Sequence, residues 1–90
     1  MNIQPSHADI LKALYESKIY DTDGLPYTAW KDLLRAQLVT EVAPPFQSGT
    51  HKFNRLPMLT PAGLEKCREL FGRIENEPKT ASAIRYSDDD

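Results

Sequence analysis

Apolar residues recur at helical spacing in three stretches of this chain, and between the second and third stretch the period disappears. Ile10, Leu11, Leu14 and Tyr15 form the first stripe, with Lys12, Glu16 and Lys18 between and beyond them, the arrangement of one buried helical face. Ser6 followed by Asp9 reads as a capping-box-like start, so a first helix is predicted over residues 7–18. Asp21-Thr22-Asp23-Gly24 is dense in turn formers, and Pro26 has its φ already set for the first turn of a second helix. Trp30, Leu33, Leu34 and Leu38 form the apolar face of that helix, leaving Thr28, Lys31, Asp32 and Arg35 opposite. From Val39 to Leu59 no helical period remains. Pro44-Pro45 and Ser48-Gly49 split the segment into two short extended pieces, residues 39–43 and 52–59. This is the pattern of a β-hairpin in which Pro57 is tolerated only at an edge or a bulge.

Thr60-Pro61 is the sharpest boundary: threonine caps, proline takes the first helical position, and Leu59 can staple onto Leu64. Leu64, Cys67, Leu70, Phe71 and Ile74 make a third apolar face that must end before Pro78, because the residue preceding a proline avoids helical angles. Residues 78–90 carry few large apolar side chains and end in Asp88-Asp89-Asp90, so they are expected to form a flexible tail. The predicted organisation is one α+β domain over residues 1–77, in the order helix, helix, hairpin, helix, followed by that tail.

Composition leaves this picture intact and narrows the chemistry. At 90 residues, 40% hydrophobic and 27% charged, the chain has the size and balance of one small globular domain. The single cysteine, Cys67, cannot form an internal disulfide, and no run of about 18 apolar residues exists to span a bilayer. Residues 1–5 lack the basic-then-apolar order of a secretory signal. The expected location is therefore the cytoplasm, with no membrane partner. The formal charge is -2, yet between Glu41 and Glu65 there is no acid, while His51, Lys52 and Arg55 fall in that interval. Distribution carries more information here than the sum.

The stretch Asp32-Leu33-Leu34-Arg35-Ala36-Gln37-Leu38-Val39, the hairpin, and Leu59-Thr60-Pro61-Ala62-Gly63-Leu64 together resemble the winged helix-turn-helix superfamily. In that superfamily a helix ends, a wing follows, and a leucine-threonine-x-x-glycine cap opens the next helix. The resemblance covers residues 8–76. It implies that the second helix lies in the DNA major groove, that the hairpin is a wing touching backbone or minor groove, and that the third helix mediates a homodimer. The position that the family fills with glycine before the wing is Gln37, and the short helix that usually separates the first and reading helices is reduced to the turn between Ile19 and Pro26.

On that architecture Thr28, Lys31 and Arg35 of the second helix and His51, Lys52 and Arg55 of the hairpin would gather on one side as a phosphate footprint for double-stranded DNA. The expected role is DNA binding, as in a small transcriptional regulator. The alternative is a protein-interaction module on the same scaffold, since this architecture also serves protein interfaces; Tyr27 and Phe46 read either as lids over the core or, in that case, as exposed anchors. Trp30 belongs to the apolar stripe and reads as core, and Cys67 reads as a small buried hydrophobe. No metal-ligand spacing joins His7 or His51 to Cys67. Gly24, Gly49, Gly63 and Gly72 are too scattered for a phosphate loop, and no nucleophile and base are placed to meet. Neither a cofactor nor enzymatic activity is expected.

Overall fold

The computed structural model describes residues 2–19, 24–42 and 56–82. Three helices, α1 (Pro5–Tyr15), α2 (Tyr27–Arg35) and α3 (Pro61–Phe71), surround a two-stranded antiparallel sheet of β1 (Val39–Val42) and β2 (Leu56–Leu59). The fold is mixed α+β, in the order helix, helix, strand, strand, helix. The α1 stripe Ile10, Leu11, Leu14 and Tyr15 is buried against Ala29, Trp30 and Leu33 of α2, Val39 and Leu59 of the sheet, and Cys67 of α3.

The helix ends depart from the sequence reading for local reasons. α1 begins at Pro5, ahead of the expected Ser6 cap, because proline takes the first helical position and His7 reaches back to serve the chain before it. Its Nδ1 accepts the Gln4 backbone N–H at 2.9 Å. α1 then stops at Tyr15, short of the expected Lys18. Ser17 takes a left-handed φ of 60°, and the Ser17 and Lys18 amides bond back to the Leu14 and Ala13 carbonyls, the Schellman arrangement. α2 closes in the same way: Gln37 has φ 62°, its amide donates to Leu34, and the Leu38 amide donates to Leu33. Gln37 therefore adopts the left-handed conformation that glycine takes more cheaply.

The register pairs Val39 with Leu59, Thr40 with Met58, Glu41 with Pro57 and Val42 with Leu56. Leu59 turns its carbonyl away from β1 to accept the Ala81 amide at 3.0 Å. Pro57, two residues earlier on the same edge, therefore has its missing donor directed away from β1, where the ladder does not need it. The expected parts of the hairpin at Ala43 and residues 52–55 lie outside the described residues.

Two expectations about the third helix and the segment after it are corrected. Leu70 and Ile74 do not belong to the buried face: they are 43% and 37% exposed. The inward stripe is Gly63, Leu64, Cys67 and Phe71, and Leu70 lies off it by one residue's rotation while Ile74 falls after the helix ends. The free tail expected from Pro78 is replaced, over residues 78–82, by a segment laid against the sheet. Thr80 bridges Leu59 in parallel, and Glu77 just before it is tied to α3. Residues 83–90 lie outside the described residues.

One junction holds the two halves together. The Thr60 hydroxyl accepts the Gly63 amide at 3.0 Å, capping α3, and donates to the Gln37 carbonyl at 2.6 Å, closing α2. The Thr60 amide donates to the Leu38 carbonyl. Gly63 packs directly on that carbonyl, and a Cβ there would collide with it. The leucine-threonine-x-x-glycine sequence thus has a physical meaning: the threonine links two helix ends and the glycine lets them approach.

Candidate nucleic-acid interface

The outward surface of α2 is set by its sequence. With about 100° per residue, Tyr27, Lys31, Arg35 and Thr28 fall within an arc of about 100°, while Ala29, Trp30 and Leu33 fall opposite and are buried. Thr28 and Arg35 are exposed and Lys31 is half-exposed. Tyr27, the first residue of the helix, is 71% exposed, and the Lys31 ammonium lies over its ring at 5.3 Å from the centroid, within cation–π range.

The only acid of α2, Asp32, sits at the margin of this arc. Its Oδ2 lies 3.0 Å from His7 Nε2. Because His7 Nδ1 accepts from the Gln4 amide, the neutral ring carries its proton on Nε2 and donates it to Asp32. The carboxylate is therefore held toward α1. Neither Lys31 nor Arg35 has a carboxylate partner among the described residues, whereas Lys18, Lys66 and Arg68 each pair with a glutamate.

Of the six residues expected to form a DNA footprint, Thr28, Lys31 and Arg35 share one outward face; His51, Lys52 and Arg55 lie outside the described residues, as does Phe46. Trp30 is core, and its indole N–H donates to Glu41 of β1 at 2.6 Å. Cys67 is fully buried, its thiol donating to the Leu11 carbonyl at 3.6 Å. Burial pushes it up to about 11, so the thiolate needed for nucleophilic chemistry is suppressed at neutral pH. Among the described residues no three His, Cys, Asp or Glu side chains cluster as a metal site, and no helix is long and apolar enough to cross a membrane.

A second polar cluster went unread in the sequence. Glu77 receives two hydrogen bonds from Arg68, Nη2 to Oε1 at 2.6 Å and Nε to Oε2 at 2.9 Å. The Tyr15 hydroxyl donates to the Gly72 carbonyl at 2.7 Å and reaches Glu77 at 3.2 Å. The Arg68 hydrogen bonds hold the Glu77 carboxyl below the ordinary glutamate value, while burial, and then Glu77, raise Tyr15. Every group here is satisfied by another, so the cluster is a fastening between α1, α3 and the segment after it. Its partners lie beyond one helical turn from one another in the chain, Arg68 and Glu77 on either side of the end of α3 and Tyr15 on α1, and no local pattern announces them.

Comparison with protein-family models, with curated proteins and with solved structures yields no match to this chain.

Proposed function

We propose that this is a winged-helix protein that binds double-stranded DNA, with α2 as the helix that enters the major groove. The observation that carries the reading is the outward arc of α2: Thr28, Lys31 and Arg35 lie together, the two cations have no carboxylate partner among the described residues, and the helix's one acid is drawn aside by His7. The acid-free interval from Glu41 to Glu65, with His51, Lys52 and Arg55 inside it, supports a wing that adds phosphate contacts. Such contacts position a protein on the duplex, and the helix in the groove supplies discrimination. Two to four cations give modest, strongly salt-dependent affinity, consistent with use as a dimer or beside accessory contacts in a small regulator.

A second reading, a protein-interaction module, is favoured by two exposed apolar residues, Leu70 in the last turn of α3 and Ile74 shortly after the helix ends. A protein partner or a second copy of the chain would cover them. Fluorescence anisotropy of the full chain with random-sequence duplex DNA separates the two. The DNA reading requires binding at low salt that weakens steeply as salt rises; no binding to any duplex at low salt hands the function to the protein reading.

A further inference from the structure

We infer that Tyr27 is a specificity-determining residue of this interface, reading the 5-methyl group of thymine, so that the preferred duplex is rich in A·T pairs. The inference rests on the DNA reading of α2. Tyr27 opens that helix, and the N-terminal residues of a groove-bound helix are the ones that reach base edges. Tyr27 as a residue is 71% exposed, the largest exposure among the large hydrophobic residues described, and one face of its ring lies beneath the Lys31 ammonium.

The major groove offers such a ring one matching surface. Guanine, adenine and cytosine present donors and acceptors along their edges, whereas thymine adds a methyl group. Carbon laid against a polar edge strips its water and returns no hydrogen bond. Carbon laid against a methyl removes apolar surface from water on both sides. Thr28, the next residue and also exposed, brings a methyl of its own to the same end of the helix. Lys31 and Arg35, one and two turns further on, supply charge that attracts the duplex without regard to thymine. The face thus divides its labour: the aromatic ring discriminates and the cations attract.

The test uses the full chain and three duplexes: one rich in A·T pairs, the same duplex with every thymine replaced by deoxyuridine, and one rich in G·C pairs. Loss of the methyls should weaken parent binding by about fourfold for each methyl contacted, the equivalent of one buried carbon. Tyr27→Ser should abolish the thymine-over-uracil difference while leaving the salt dependence unchanged. Lys31→Gln should keep that difference while reducing the slope of log affinity against log salt by about one. Equal parent affinity for the thymine and uracil duplexes overturns the inference, as does a difference that survives Tyr27→Ser. Parent binding to none of the three duplexes at low salt overturns the DNA reading, and this inference with it. Tyr27 is exposed, and melting curves identify any variant that has failed to fold.

Discussion

Thr60 serves two helix ends through one hydroxyl, accepting from Gly63 and donating to Gln37 while 3% exposed. Thr60→Ala removes both bonds, the cap of α3 and the tie to the end of α2, so chemical denaturation should show a loss of about 2 kcal/mol, above the usual value for a cap alone. Thr60→Ser keeps the hydroxyl and should recover most of it. Gly63→Ala drives a methyl into the Leu38 carbonyl and is expected to cost about 2–3 kcal/mol. Gln37→Gly should do the opposite. A left-handed φ of 62° is strained for glutamine, and glycine there should add about 0.5–1 kcal/mol after its own entropy is counted. The capping role of Thr60 was legible in the sequence because cap chemistry is local: a hydroxyl, a proline and an apolar flank within five residues. Its bond to Gln37 was not, because nothing within the two segments records that they meet. His7 and Asp32, 25 residues apart, were unreadable for the same reason.

At the scale of elements, the segment after α3 behaves as part of the domain. Glu77 is fastened to Arg68 and Tyr15, and Thr80 and Ala81 lie beside Leu59. Removing residues 77–90 should therefore lower the melting temperature by more than a few degrees, whereas the sequence alone pointed to a dispensable tail. That expectation followed from sparse apolar side chains, but the segment is held by main-chain pairing and one carboxylate, which hydrophobic pattern does not register. The fastening also carries a pH signature. Glu77 is held below its ordinary value of 4.5 in the folded chain, so its contribution is full above that value and is lost as pH falls through the lower folded value. The stability difference between parent and Glu77→Gln should be constant near neutrality and shrink progressively below about pH 4. A difference that stayed constant through acid would contradict the role given to the Arg68 pair. The three helices themselves were legible from their stripes. Their ends shifted where left-handed residues closed them early, at Ser17 and Gln37, types that give no strong signal for that conformation.

For the whole molecule, the sequence grouped Thr28, Lys31 and Arg35 because helical periodicity alone puts them on one side, and the structure leaves that side outward with its acid drawn off by α1. The groove-reading role was reached by resemblance to winged helices and by charge distribution. The measurement that bears on it most directly is duplex affinity as a function of salt for the parent and for Lys31→Gln/Arg35→Gln, with Lys52→Gln/Arg55→Gln as the second arm. If α2 is the reading helix, each pair of substitutions should flatten the slope by up to about two. The wing pair should weaken all duplexes about equally, and the α2 pair should also change which duplex is preferred. A parent that binds no duplex at low salt, or an α2 double variant that binds every duplex as the parent does, would contradict the account.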